Sequence, residues 1–342
     1  MNMDTSTSPR GVLMIQPLPG IGDMVWHIPH LLAIAGCEPE GKVEVLTKPR
    51  SLSDQLLANL PEVAEVIWLR RKPGEHDGWR GFWLLVRQLR ARRLRKVWIL
   101  HDSSRYALAA WLAGIPERVG YAGGWQRWLF SDTPRVPLSS TGHTVERADR
   151  FLAAFDIALK RPQPLLVSTV SAQQRVEAEY GEYPRPWFAF GIGSSEPSRQ
   201  WGETHFAACL QALHARYGGS VFLLGGAAET AMATELAATC PTAAPVPVIQ
   251  APLQELIALL ARCQLFVGND TGMLNLAAAT GCHSFALLGQ AISAWVATSS
   301  PCIHPVYPPG GLAADGVSRI AVETVLDTIA SLETECELAR VV

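Results

Sequence analysis

The chain has 342 residues, nearly half of them apolar, and a formal net charge of −2; that suggests about two domains with sizeable cores and excludes a general nucleic-acid binder, which is basic. Its seven cysteines are scattered with no C-x-x-C pair, so no disulfide framework or zinc site is indicated and a reducing, cytosolic compartment fits. The start MNMDTSTSPR lacks the layout of a secretion signal, and no run of about 18 apolar residues marks a spanning helix.

Gly11 to Ile15 is a short apolar strand. It runs into QPLPGIGDMVWHIPHLLAIAG, where Pro and Gly residues make a tight loop and a helix begins near Asp23. Gly20, Gly22 and Asp23 therefore sit where open α/β sheets bind ligands, beyond the carboxyl end of a strand. An N-cap role for Asp23 explains the same residue equally simply. Val43–Leu46 and Val63–Leu69 are further strands, Leu84–Leu94 a helix and Val97–Leu100 a strand. The last delivers His101, Ser103 and Arg105 to the same edge, ahead of a helix over Tyr106–Ala113. This alternation points to a parallel sheet wrapped by helices. The run RQLRARRLRK, preceded by Trp79, Phe82 and Trp83, reads either as a solvated helix face or as a surface for an anionic acceptor or lipid headgroup. A Gly-rich loop, a short edge and a helix from about Thr144 follow. His143 precedes that helix and either caps it or lines the ligand edge. KRPQP at 160–164 breaks the pattern, and 166–186 reads as a linker with a helix near 172–180.

The second half repeats the logic. Trp187–Gly191 is a buried strand that delivers GIGSSEPSRQW. Its Gly193, Ser194 and Ser195, with Arg199, suit a diphosphate: small residues and hydroxyls donate to the oxygens, and a guanidinium offsets the charge. A surface loop with a solvated arginine is the plainer alternative. Val221–Leu224 ends at Glu229, placed at a helix start. Phe266–Gly289 reads as strand, turn, helix, strand, and its turn Asn269-Asp270-Thr271-Gly272 lies at a helix N-terminus, where free N–H groups favour an anion. Capping by Asp270 or Thr271 is the ordinary alternative. Beyond Gly289 a Pro-rich loop spans 301–311, and a last helix covers about 322–332.

The motifs in order, from PGIGDMVWHIP and LHDSSRYALAAWLAGIPERVGY through HTVER, GIGSSEPSRQWGETHF and GGAAE to VGNDTGMLNLAAATG, resemble glycosyltransferase family 9, the ADP-heptose:lipopolysaccharide heptosyltransferases. The likeness covers roughly residues 11–290. It implies the GT-B fold, two Rossmann-like α/β domains facing a central cleft: an acceptor domain over 1–165, a linker over 166–186, a nucleotide-sugar domain over 187–320, and a closing helix over 321–342 that packs back on the first domain. It implies that Asp23 is the general base and Arg199 stabilises the diphosphate leaving group. Gly193, Ser194, Ser195, Glu229, Asp270, Thr271, Gly272 and Asn275 would hold the donor. Gly20, Gly22, His101, Ser103 and Arg105 would meet the acceptor.

The implied reaction is an inverting transfer without metal or cofactor. Heptose would move from ADP-heptose to a core or lipid-linked oligosaccharide, with peripheral contact at the cytoplasmic face of the inner membrane. Two departures stand out. Asn275 replaces a His that the family carries on the helix after the donor turn, and Gln290-Ala291-Ile292-Ser293 replaces a Pro-Thr-Asp-like segment. A nucleotide-sugar epimerase or hydrolase of the same fold, and a non-catalytic nucleotide-sugar binder, are the competing readings. A dinucleotide oxidoreductase fits less well, because no G-x-G-x-x-G opens either half.

Overall fold

The computed structural model describes residues 10–121, 123–133, 142–161, 163–194, 196–289, 299–311 and 316–335. The chain divides into two compact α/β units, Met1–Pro164 and Leu165–Val342. In the first, β1 (Arg10–Ile15), α1 (Ile21–Cys37), β2 (Val43–Thr47), α2 (Ser53–Leu56), β3 (Val63–Trp68), α3 (Gly78–Ala91), β4 (Leu94–Ile99), α4 (Ser104–Leu112) and β5 (Glu117–Gly120) precede a 3-10 turn over Gly124–Leu129 and α5 (Thr144–Ala153). The strands form one parallel sheet in the order β3-β2-β1-β4-β5. The order reverses between β1 and β4, and that is where a crevice opens beyond the strand carboxyl ends.

The second unit holds α6 (Val170–Tyr180), β6 (Trp187–Gly191), α7 (Glu203–Tyr217), β7 (Ser220–Gly225), α8 (Thr230–Thr239), β8 (Val246–Ile249), α9 (Leu253–Leu260), β9 (Leu265–Asn269), α10 (Gly272–Ala279), β10 (His283–Leu287), β11 (Ile303–Val306) and α11 (Val322–Glu335). Its sheet is also parallel, ordered β11-β10-β9-β6-β7-β8, and its switch point lies between β6 and β9. The central strands are apolar throughout because helices cover both faces. Phe188, Phe190, Val221, Leu223, Val267, Phe285 and Leu287 make one continuous core with α7 and α11.

Several boundaries differ from the sequence reading. The helix expected over 84–94 begins at Gly78 and ends at Ala91, because Arg93 takes a left-handed φ of 50° and Leu94 opens β4. The Asp77 carboxylate accepts from the Lys72 and Gly74 N–H groups at 3.0 and 2.8 Å and ties up the loop before that helix. The glycine-rich stretch after residue 114 contains β5, a four-residue strand too short for a clear pattern. The supposed Pro-rich loop contains β11, whose Pro305 pairs in register with Ala286; β8 carries Pro247 opposite Leu223. Both are edge strands, the one place in a sheet where a residue without an N–H is tolerated. The segment expected as a linker is built into the second unit: Leu166 N–H donates to the Ala279 carbonyl at 2.8 Å, and α6 packs on α9. The closing helix α11 packs on α7, β10 and β11.

The basic run also divides. Arg92 bridges Glu44 and Glu65 at 2.7 and 2.8 Å. Arg95 and Lys96 converge on Glu38, whose side chain is almost fully buried and also accepts from the Trp98 indole at 3.0 Å. These cations neutralise carboxylates at the amino-terminal edge of the sheet, so only Arg87, Arg90 and Arg93 remain exposed. Burial would raise the Glu38 carboxyl, but the bonds from Trp98, Arg95 and Lys96 outweigh it and hold it below the ordinary glutamate value. A carboxylate lowered on folding adds stability above its unfolded pKa and loses it as pH falls through the folded one. Glu38→Gln is therefore expected to cost about 1–3 kcal/mol in denaturant unfolding at pH 7, with the deficit closing as the pH drops below about 4.

Candidate active site

In the first unit the site is built on the loops after β1 and β4. Asp23 stands in the first turn of α1, and its Oδ2 accepts the Gly20 N–H at 2.9 Å. A side chain at position 20 would place its Cβ 2.8 Å from that oxygen, so only glycine lets the carboxylate close over the loop. Gly22 is buried in the same turn. Burial lifts the Asp23 carboxyl above the ordinary aspartate value; the Gly20 bond and the nearby charges of His143 and Lys48 pull it back in part. The capping and functional readings of Asp23 thus describe one side chain, a cap that is also a desolvated carboxylate.

A set of groups from separate loops surrounds that carboxylate. His143 caps α5: its Nδ1 accepts from the Val145 N–H at 3.3 Å, and its backbone N–H donates to Glu146 Oε2 at 3.3 Å. That fixes the neutral tautomer with the proton on Nε2. Burial keeps its pKa low, against the pull of Asp23 and Glu146. Lys48, directly after β2, is lowered by burial and by Arg71 and Lys72, and steadied by Asp23. His27, one turn along α1, bonds through Nδ1 to the Asp23 carbonyl at 2.6 Å; burial and His30 hold it neutral, with a pKa of about 3. Helix α5 is clamped to this edge by His30 on Asp149 at 2.8 Å and by Arg147 on Asp102.

The remaining acceptor candidates are placed as follows. His101 accepts from the Ser103 N–H at 2.9 Å and is half-buried, its pKa lowered by that burial. Ser103 is the residue before α4. Arg105 turns inward: its guanidinium donates to the His76 and Gly78 carbonyls at 2.7 and 3.2 Å and lies 5.1 Å over the Phe82 ring, so it holds the loop before α3. Lys48 did not stand out in the sequence, though it directly follows the carboxyl end of β2, and that position is the signal that would have found it.

In the second unit the loops after β6 and β9 meet through a buried amide. Asn269, fully buried at the end of β9, accepts the Trp201 N–H at 3.1 Å. Its Nδ2 donates to the Gly193 carbonyl at 3.1 Å and to Gln200 Oε1 at 2.8 Å. Trp201 is in turn locked by its indole N–H on the Ile320 carbonyl at 2.8 Å. Arg199, beside these, pairs with Glu196 at 3.2 Å and with Asp270 at 3.6 Å. Ser194 Oγ donates to the Glu196 carbonyl at 2.7 Å. Ser195 and the segment 290–293 lie outside the described residues. The Glu229 carboxylate accepts the Gly226 N–H at 2.8 Å and lies 3.2–3.5 Å from where a Cβ at Gly193 would be. Thr271 and Gly272 open α10, and Asn275, one turn in, donates to the Thr271 carbonyl at 3.0 Å. The loop after β6, the loop after β7 and the end of β9 are thus brought together around Gly193. Among the described residues no group of three His, Cys, Asp or Glu side chains could hold a metal ion, and no helix is long and apolar enough to cross a membrane.

The model of glycosyltransferase family 9 (heptosyltransferase) matches residues 82–294, more than half of the chain. The chain belongs to glycosyltransferase family 9. It is a glycosyltransferase of the GT-B fold, similar to lipopolysaccharide heptosyltransferase 2 of Escherichia coli K12, with 28% identity over 81% of this chain and 82% of that one. The solved E. coli ADP-heptose lps heptosyltransferase II superposes with a TM-score of 0.73 at 22% identity, covering 95% of this chain and 100% of that one. An E. coli heptosyltransferase with ADP-2-deoxy-2-fluoro heptose gives 0.72 at 17% identity, covering 94% and 99%.

Two outcomes are expected of this geometry. Because the Asp23 carboxyl is raised on folding, its ionised form costs stability once the pH exceeds the unfolded pKa; Asp23→Asn should melt at or above the wild-type temperature at pH 7, the gap closing below about pH 4. Asn269→Ala should cost about 1–3 kcal/mol in denaturant unfolding, since it strands the buried Trp201 N–H. Asn269→Asp should fail similarly, because a carboxylate cannot donate to Gly193 and Gln200.

Proposed function

We propose that this glycosyltransferase moves heptose from ADP-heptose to a lipopolysaccharide-core or related lipid-linked glycan at the cytoplasmic face of the inner membrane, with inversion and without a metal. In this reading the Asp23 carboxylate takes the proton from the acceptor hydroxyl as that oxygen attacks the anomeric carbon. The bond to the ADP oxygen breaks on the opposite side of that carbon, which is why one displacement inverts it. The ADP leaving group is met by Arg199, the Gly193–Ser195 loop and the N–H groups opening α10. Glu229 accepts hydrogen bonds from the ribose hydroxyls. Asp270, already paired with Arg199, accepts from sugar hydroxyls, while Lys48, Arg71 and His101 suit an anionic acceptor.

The observation that carries this is the pairing of roles across the two switch points. One holds a desolvated carboxylate with a raised pKa, suited to a general base. The other holds an arginine oriented by two carboxylates beside small-residue loops, suited to a diphosphate. Asn275, in place of the family histidine, adds no charge of its own to the donor turn, whose carboxylate Asp270 is paired with Arg199.

A thermal-shift screen of nucleotide sugars tests the donor. ADP-heptose is expected to stabilise the protein by about 2.7 kcal/mol at a hundred times its Kd, and UDP- and GDP-sugars far less; equal shifts from all three would refute the donor assignment. With donor and core acceptor, kcat/KM should rise with pH through a pKa above the ordinary aspartate range, as the base must be ionised. Donor consumption at full rate without acceptor would favour the epimerase or hydrolase, and binding with no turnover on any acceptor would favour the plain binder.

A further inference from the structure

Five tryptophans of the first unit are exposed, Trp79 and Trp128 to 72% and 77%, and every exposed tryptophan among the described residues lies on three successive neighbours: α3, α4 and the 3-10 turn Gly124–Leu129. Helix α4 packs between the other two, and all three share one core cluster beneath. On α3 the exposed positions Trp79, Trp83, Arg87 and Arg90 follow a spacing of four, four and three, a single outward stripe. Arg90 reaches across to the Leu112 carbonyl at the end of α4, next to the exposed Trp111. On the turn, Trp125 and Trp128 are exposed and Arg127 lies 5.3 Å over the Trp128 ring.

The charge on these elements is one-sided. They carry five arginines and no Asp or Glu, in a chain of net charge −2. One of the five, Arg105, is turned inward on backbone carbonyls; Arg80, Arg87, Arg90 and Arg127 are exposed. Exposed tryptophans cost solvation in water and gain it at the headgroup level of a bilayer, where the ring is half in the apolar phase and the N–H is hydrated. Arginines beside them pair with lipid phosphates. A second copy of the chain is a poor occupant, because a two-fold contact would set arginine against arginine.

We infer that the α3–α4–turn face is the surface by which this protein binds anionic lipid bilayers. Its cations are those left exposed once Arg92, Arg95 and Lys96 are neutralised inside the fold, and they extend to Arg80 and Arg127 outside the basic run. Two of its tryptophans stand at the carboxyl-edge end of the unit: Trp79 opens α3, and Trp125 follows β5 between Gly123 and Gln126, which bond to the Tyr121 carbonyl. Bilayer contact there brings lipid-borne groups to the edge that holds Asp23. The inference deepens the lipid-linked acceptor reading but is tested without donor or acceptor, so the two fail separately.

The test is co-sedimentation of the full chain with vesicles of phosphatidylglycerol and phosphatidylethanolamine in equal parts, against pure phosphatidylcholine. Binding to the anionic vesicles is expected, about tenfold or more above phosphatidylcholine and weakened by salt, with a blue shift in tryptophan emission. Trp79→Ser/Trp83→Ser/Trp128→Ser, and separately Arg80→Glu/Arg87→Glu, should each lower it about tenfold or more with the melting temperature unchanged. Wild-type protein that stays in the supernatant, or variants that sediment as the wild type does, would overturn the inference. So would a concentration-dependent dimer abolished by the same substitutions without vesicle binding, which would assign the face to a second copy, or capture only by an acidic polypeptide.

Discussion

The second unit depends on one buried amide. Asn269 ends β9, next to the switch point of the sheet, and its three hydrogen bonds reach the loop after β6 at Gly193, Gln200 and Trp201. Both ends of the amide are used, one accepting and one donating, so neither Asp nor Leu substitutes for it. With this side chain in place, Arg199 is held beside Asp270 and the Gly193 backbone lies beneath Glu229. Gly193, Gln200 and Trp201 are thereby tied in place by folding; in the proposed reading that spares a bound diphosphate part of the cost of ordering the loop.

The first unit handles charge differently. Its amino-terminal edge sets Glu38, Glu44, Glu65 and Glu117 against Arg92, Arg95 and Lys96, pairs that stabilise the fold. Its carboxyl edge sets an acid against loosely compensated bases: Asp23 is raised by burial while Lys48, His101 and His143 are lowered by it. Shifts of that kind, with desolvation as the leading cause, gather where protons are moved. A fold that spends stability at one edge and gains it at the other conforms to the usual division between site and scaffold.

Much of this was legible in the sequence because strand-end loops carry the chemistry in parallel sheets. The apolar runs ending at Ile15 and Gly191 and the Gly-rich turns after them placed Asp23 and Arg199 beyond strand carboxyl ends without coordinates, and the order of motifs gave the family. The rest was hidden for physical reasons. Asn269 bonds to residues 68 to 76 positions away, and no local pattern marks such a partner. The run 87–96 looks uniform, yet helix α3 ends inside it; Arg87 and Arg90 before the break face solvent, and Arg92, Arg95 and Lys96 after it meet glutamates from the end of α1 and from β2, β3 and β5. Strands β5 and β11 are four residues long, and β11 carries a proline that reads as a loop signal in any single-sequence pattern.

The proposed role of Asp23 as the base is tested most directly by a single-turnover measurement. Asp23→Ala protein, shown to be folded and to bind ADP-heptose with wild-type affinity, is mixed with a core acceptor and the transferred heptose is followed. A fall of about 10³-fold in the transfer rate, the middle of the range for loss of a positioned general base, is the expected result. Transfer at the wild-type rate would remove Asp23 from the chemistry and leave the first unit without an identified base.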